Sequence, residues 1–199
     1  TQTYENFNFL VIDDFSTDNT LKILKDISKT DERLNIYTNN ENMGLTKSLN
    51  KLIKFSTGKY IARQDADDLS YKTRLEEQVN FLNESNFHAC TTRALSLQNK
   101  NKKIPGLSYY LPSKISIRYK NPFIHGSLMI RRDVLSEVGC YDESFKYAQD
   151  YKLYIDLLNN GFKIKNLNKT LYLLNTKNNI SEINKKEQKN FFDLAKKNL

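Results

Sequence analysis

The sequence predicts an α/β fold, a mainly parallel sheet flanked by helices, on three observations. Short apolar runs alternate with helical stretches, polar turns end the runs, and acidic pairs stand at two of those ends. Phe7-Asn8-Phe9-Leu10-Val11-Ile12 reads as the first, buried strand. It leads into Asp13-Asp14-Phe15-Ser16-Thr17-Asp18, where Ser16 or Thr17 is placed to cap a helix whose apolar face carries Leu21, Ile23, Leu24 and Ile27. Leu34 to Tyr37 is a second strand and Asn42-Met43-Gly44 a turn. Leu45, Leu49, Leu52 and Ile53 then form the stripe of a second helix, stopped by Gly58. Lys59 to Ala62 is a third strand that delivers Asp65-Ala66-Asp67-Asp68, and Leu75, Val79 and Leu82 mark the helix after it. Right-handed crossovers would make these strands a parallel set, with both acidic clusters on the C-terminal rim where such sheets bind ligands.

The second half is less regular. His88 to Thr92 and Ser127 to Ile130 read as strands, separated by a polar loop over 98–113 that Pro105-Gly106 breaks. Gln149 to Asn159 is a helix ending at Gly161, Thr170 to Leu174 a late strand, and Glu182 to Leu199 a lysine-rich peripheral helix. With 199 residues and 39% hydrophobic content, the chain can bury one core. Residues 1–175 read as one domain and 176–199 as a helical extension.

The net charge of +8 is concentrated late, at Lys163, Lys165, Lys169, Lys177, Lys185, Lys186, Lys189, Lys196 and Lys197. Two readings stay open: a solvated lysine-rich surface, or a basic face that docks on anionic headgroups. No helix-turn-helix, zinc-finger or RNP-like pattern accompanies the charge, so nucleic acid is not expected as a partner. Cys90 and Cys140 lack metal-site spacing and read as reduced, partly buried thiols. No apolar run reaches bilayer length and no signal segment opens the chain. The expected location is the cytoplasm, peripherally at the inner face of the plasma membrane if the basic C-terminal region docks there.

Four motifs occur in order: Val11-Ile12-Asp13-Asp14-Phe15-Ser16-Thr17-Asp18, Asn42-Met43-Gly44, the run from Gly58 to Asp68, and Ala148-Gln149-Asp150-Tyr151. Together they resemble the family 2 inverting glycosyltransferases of the GT-A fold, from about Gln2 to Leu174. The resemblance implies a GT-A-like, nucleotide-sugar-binding sandwich. It also shows two departures. Phe15 stands where the family usually has glycine, and the family's first strand and helix are expected ahead of Gln2.

Carboxylates at a strand end suit hard cations, which favour oxygen ligands and share them with phosphate and water. By resemblance Asp67 holds Mn2+ or Mg2+ against the diphosphate, and Asp65 contacts the ribose or the metal shell. Lewis-acid neutralisation of the leaving diphosphate is the chemistry this supplies. Asp68 is expected to cap the next helix or support its neighbours, and a solvated acidic turn is the plain alternative for the cluster. A haloacid-dehalogenase phosphatase would carry its Asp pair after the first strand, and an EF-hand would need a central glycine and closing glutamate that this run lacks.

Asp14 is by resemblance the reader of the nucleotide base, while Asp13 braces the turn, and simple helix capping by the pair stays open. Lys47 reads as a surface lysine. Asp150 opens an amphipathic helix whose N-terminus favours an ionised carboxylate, and it is the candidate base that deprotonates an acceptor hydroxyl in a single inverting displacement. An ordinary helix-start acid is the alternative. His125 meets the diphosphate or acceptor, or serves as a structural loop histidine.

The implied activity is metal-dependent transfer of a hexosyl or N-acetylhexosaminyl group from a nucleotide-diphosphate donor, a UDP-sugar above all. The acceptor is a hydroxyl on a glycan or lipid-linked glycan, with surface-polysaccharide synthesis as the setting. A nucleotide-sugar-binding module without turnover, or a basic interaction protein, are the alternatives.

Overall fold

The computed structural model describes residues 2–177 and 184–199. The chain runs β1 (Phe9–Asp13), α1 (Thr20–Ser28), β2 (Leu34–Thr38), α2 (Leu45–Phe55), β3 (Tyr60–Ala62), β4 (Leu69–Ser70) and α3 (Arg74–Glu84). It continues through β5 (Ala89–Ser96), β6 (Lys103–Ile104), α4 (Ser113–Ser116), β7 (Met129–Arg131), α5 (Arg132–Glu137), α6 (Gln149–Asn159), β8 (Ile164–Leu174) and α7 (Lys185–Lys196). Single 3-10 turns lie at Leu107–Tyr110 and His125–Ser127.

β1 and β2 pair in parallel, from Phe9 opposite Leu34 to Asp13 opposite Thr38. The other strands form a second sheet in the order β3-β7-β5-β8-β4, with β6 paired to β5. Its longest ladder, β5 with β8, is also parallel, while the short ladders are antiparallel. The α/β architecture is therefore the expected one, with one correction. β3 does not join β1 and β2 in a parallel set but runs antiparallel to β7, Tyr60 opposite Arg131 and Ala62 opposite Met129. A crossover helix returns the chain to the same layer, but the edge a three-residue strand joins is set by partners far along the chain.

The helix starts also differ from the sequence reading. Asp18, rather than Ser16 or Thr17, accepts the Thr20 N–H at 2.9 Å as α1 begins. Leu21 and Leu24 are half-buried, whereas Ile23 and Ile27 of the expected apolar face are exposed. α3 behaves as predicted, with Leu75, Val79 and Leu82 all buried. The C-terminal helix begins at Lys185, and the predicted start at Glu182 lies outside the described residues.

α6 is the centre of the core. Tyr151, Leu153, Tyr154, Ile155 and Leu157 are essentially inaccessible, so the helix is enclosed on most sides. At about 1.5–3 kcal/mol per fully buried large apolar side chain, these residues hold its first turn rigidly. α7 closes over it: Phe192 stacks on Tyr151 with ring centres 4.0 Å apart, and Ala195 is fully buried.

Candidate active site

The Asp65–Asp68 turn leaves β3 and is gripped from several sides. Arg63 continues the strand by donating its N–H to Leu128 at 2.7 Å, and its guanidinium pairs with Asp65. Gln64 donates to the Asp65 carbonyl at 2.8 Å and the Asp68 carbonyl at 3.1 Å, and accepts from the Ser70 hydroxyl at 2.6 Å. The side chain thus laces the acidic turn closed.

Tyr172 of β8 lies beneath the turn. Its hydroxyl accepts the Asp65 N–H at 3.2 Å and the Gln64 amide at 3.2 Å. A register shift in the β5–β8 ladder around Arg93 lets Tyr172 sit opposite Ala94 while also pairing with Ser70 of β4. The buried Arg74 lies over its ring at 5.5 Å, and burial brings the guanidinium down to about 10. Gly126 permits this close packing, because a Cβ there would come 2.6 Å from Asp65 Oδ2 and also meet the Tyr172 hydroxyl.

Asp67 projects outward, exposed, with Oδ2 accepting from the Asn175 amide at 3.1 Å. Asp68 points inward, and its Oδ1 accepts the Asn175 N–H at 2.6 Å. Burial is the main cause that pushes the Asp68 carboxyl up to about 6, against hydrogen bonds from Asn175 and Tyr172, with Asp65 and Asp67 adding repulsion. Among the described residues Asp68 makes no cap bond to α3; it holds Asn175, whose amide in turn meets Asp67.

Asp14 is bound into the Asn42-Met43-Gly44 turn. Oδ1 accepts from Asn39 at 2.7 Å and Met43 N–H at 2.9 Å, and Oδ2 accepts Gly44 N–H at 2.8 Å. Burial opposes its charge, but these bonds together with Ser48 outweigh it and lower the pKa. A carboxylate has about four acceptor directions, so little capacity remains for a ligand N–H. Asp13 is more deeply buried; Oδ2 accepts Ser16 N–H at 3.3 Å, and Oδ1 has no partner among the described residues. Phe15 keeps φ at 64°, the left-handed backbone that the glycine usual at this position would adopt without strain.

Gly44, with φ 83°, starts α2, and α2 carries the connection onward. Thr46 donates to the Phe145 carbonyl at 2.9 Å, while Asn50 donates to the Tyr141 carbonyl at 2.8 Å and accepts its N–H at 3.0 Å. This fastens the loop that leads to Ala148 and Asp150. Asp150 sits half-buried in the first turn of α6, its Oδ2 accepting from Asn121 at 2.9 Å.

His125 and Tyr141 lie between the two acidic sites. His125 Nε2 is 2.7 Å from the Tyr141 hydroxyl. Burial, then Arg63, bring the imidazole down to about 4 against the pull of Asp150, so it is neutral at pH 7. Tyr141 and Tyr154 are both raised, first by burial, and both feel Asp65 and Asp150. Gly126, the residue after His125, packs against the half-buried Asp65, so the acidic turn and the His125–Tyr141 pair adjoin, with the half-buried Asp150 near enough to act on both rings.

Residues 1–139 match the sequence profile of glycosyl transferase family 2. The chain belongs to that family. Putative glycosyltransferase EpsE of Bacillus subtilis is 32% identical over 86% of the chain and 63% of its own length. The Escherichia coli UDP-Glc:alpha-D-GlcNAc-diphosphoundecaprenol beta-1,3-glucosyltransferase WfaP is 29% identical over 84% of the chain and 64% of its own. The chain thus spans less than two thirds of these relatives.

Among solved structures, S. aureus TarS 1-349 in complex with UDP-GlcNAc superposes with a TM-score of 0.78, at 20% identity, over 98% of the chain and 58% of the TarS 1-349 chain. The Pyrobaculum calidifontis mannosyltransferase PcManGT, in complex with GDP-Man and Mn2+, does so with 0.70 at 18% identity, over 90% and 51%. The fold of this family 2 chain is the GT-A arrangement expected from its motifs.

No group of three or more His, Cys, Asp or Glu converges among the described residues. What the turn offers is the exposed Asp67 carboxylate, oriented by Asn175, with Asp65 behind it. That oxygen set fits a hard cation completed by phosphate and water, and does not make a closed protein cage.

Tyr172, Gln64, Asn175, Arg74 and Asn121 were not singled out from the sequence. Tyr172 lies at the far end of β8 and Asn175 directly after it, both more than a hundred residues after the turn they hold. Only a correct pairing of β4 with β8 would have exposed them.

Proposed function

We propose that this chain transfers a sugar, with inversion, from a nucleotide-diphosphate donor to a hydroxyl of a glycan or lipid-linked glycan in surface-polysaccharide synthesis. The observation that carries the proposal is the packing of Gly126 against the Asp65 carboxylate beside the His125–Tyr141 pair, with Asp150 at the start of α6 close enough to act on both rings. The complexes of TarS with UDP-GlcNAc and of PcManGT with GDP-Man support a nucleotide-sugar donor, and we favour a UDP-sugar carrying a hexosyl or N-acetylhexosaminyl group. The diphosphoundecaprenol acceptor in WfaP's name supports a lipid-linked acceptor.

In this reading Asp150 takes the proton of the acceptor hydroxyl. The oxygen attacks the anomeric carbon from the face opposite the diphosphate, and the carbon–oxygen bond to the diphosphate breaks with its electron pair leaving on phosphate. Asp67 would hold Mn2+ or Mg2+, which supplies neutralisation of the departing charge. Asp65, fixed by Arg63 and the Tyr172 hydroxyl, orients the donor at the ribose or beside Asp67. Asp14 reads a base N–H by exchanging one of its present donors for it. Neutral His125 keeps the floor between donor and acceptor uncharged and meets the diphosphate or acceptor at its exposed edge. The lysines of α7 add electrostatic attraction to anionic headgroups at the inner face of the plasma membrane, about 1 kcal/mol for each lysine that reaches the surface.

Thermal denaturation with UDP, GDP and their sugars, with and without Mn2+, tests the donor reading. A nucleotide at about a hundredfold excess over its Kd adds roughly 2.7 kcal/mol of stability. The metal-dependent part is lost in Asp67→Ala. Equal stabilisation after chelation would remove Asp67 from metal binding.

A further inference from the structure

The turn between β6 and β7 breaks the usual relation between side-chain chemistry and burial. Leu107 is 87% exposed, Tyr119 77% and Tyr110 71%, and Leu111 and Ile115 are also exposed. The segment is not loose. Ile117 and Ser116 are buried, the Ser116 hydroxyl donates to the Ser108 carbonyl at 3.0 Å, and the Ile117 carbonyl accepts the Tyr151 hydroxyl. The fold therefore holds several large apolar side chains outward on an anchored backbone.

The charges around them have one sign. No Asp or Glu occurs between Glu84 and Asp133, and Lys114, Arg118 and Lys120 interleave the apolar residues and are exposed. Protein–protein interface cores are depleted in lysine. Tyrosine with aliphatic side chains and a fringe of Lys and Arg is instead the chemistry of the lipid headgroup boundary, where rings keep a polar tip in water and basic groups meet anionic lipid.

We infer that the segment Leu107–Lys120 is a bilayer-contacting element that places Leu107, Tyr110 and Tyr119 among the headgroups of an anionic membrane. The contact is distinct from the electrostatic attraction of the α7 lysines, because it buries apolar surface. Its position has a consequence. Asn121, the next residue, donates to Asp150, and both line a cleft of about 360 Å3 with Lys185, Lys189 and Phe192. Docking through this segment brings that cleft to the membrane surface, where a lipid-linked acceptor would reach Asp150. That consequence rests on the transfer reading above; the docking does not.

The test is co-sedimentation with phosphatidylcholine vesicles, with and without phosphatidylglycerol, comparing the chain with the triple variant Leu107→Ser, Tyr110→Ser, Tyr119→Ser. The side chains are exposed, so the variant should melt with the parent. At about 0.5 M salt the Debye length falls to about 4 Å and purely surface attraction fades. The parent keeps measurable binding to anionic vesicles there, and the triple variant loses roughly tenfold or more of its partitioning. A Lys186→Gln, Lys197→Gln variant weakens binding only at low salt. No vesicle association by the parent, or association that the triple variant retains in full, overturns the inference. So does concentration-dependent dimerisation that the triple variant abolishes without any vesicle binding, which would assign the patch to a second copy of the chain.

Discussion

Asn121 donates a hydrogen bond to Asp150 across 2.9 Å, joining the exit of an exposed segment to the first turn of the largely buried α6. The bond fixes the carboxylate's orientation from outside its own helix. Asp150→Asn keeps the shape but removes the acceptor of the proton, and turnover should fall on the order of 10²–10⁴-fold. Donor affinity should stay unchanged. Asn121→Ala should lower kcat about tenfold through misorientation, with donor KM preserved. Steady-state kinetics with separate donor titration measures both, and near-normal turnover by Asp150→Asn would move the base elsewhere on the rim.

Gly126→Ala tests the packing beneath Asp65. The added Cβ would come 2.6 Å from the Asp65 carboxylate and meet the Tyr172 ring. Overpacking of this kind costs about 1–3 kcal/mol. Urea denaturation should show that loss, accompanied by weaker nucleotide binding because the same contact displaces Asp65. Full stability with full binding would mean that β8 can shift away freely.

The neutral His125 makes stability depend on pH. Its folded pKa, about 4, lies below the ordinary 6.5, so the unfolded chain binds more protons between those values. Stability is therefore complete above pH 6.5 and declines as pH falls toward 4. The loss is on the order of 2 kcal/mol, less than full linkage gives, since the residue keeps some surface. His88, the other histidine, is lowered in the same direction, first by burial. Denaturation at pH 7 and pH 5 should show the decline, and His125→Gln should remove most of it; an unchanged slope would assign it to other groups.

Phe15→Gly relieves a left-handed backbone at φ 64° that costs a non-glycine residue about 1–2 kcal/mol. Glycine's extra unfolded-state freedom returns part of this. The Phe15 ring is exposed and contributes little burial. Thermal melts should show stability raised by up to about 1 kcal/mol, and a clear loss would mean that the ring makes contacts that outweigh the strain.

Local pattern already determined much of this protein. Short apolar runs located β1 and β2 and helical apolar stripes located α2, α3 and α6, and α6 appears over the same residues, 149–159, that the sequence predicted. The acidic turns could be placed at strand ends because a strand followed by polar residues and a helix cap is a short-range signal. The α/β class followed from the same alternation, and family membership from four motifs whose order is itself local information.

Tertiary structure decided what those residues touch. That β3 pairs with β7, that Tyr172 and Asn175 hold the Asp65–Asp68 turn, and that Asn121 meets Asp150 are contacts between residues far apart in sequence. No periodicity encodes such partners, since each side of the contact satisfies its own local rule whichever partner it finds. The exposed Leu107, Tyr110 and Tyr119 show the same limit. Residues 98–113 read as a polar loop, and only the folded chain shows large apolar side chains held outward there, on a backbone anchored where the Ile117 carbonyl accepts the Tyr151 hydroxyl. Spacing along a chain decides which face of an element a residue occupies, but the packing of all elements decides whether that face meets the core, a ligand or solvent.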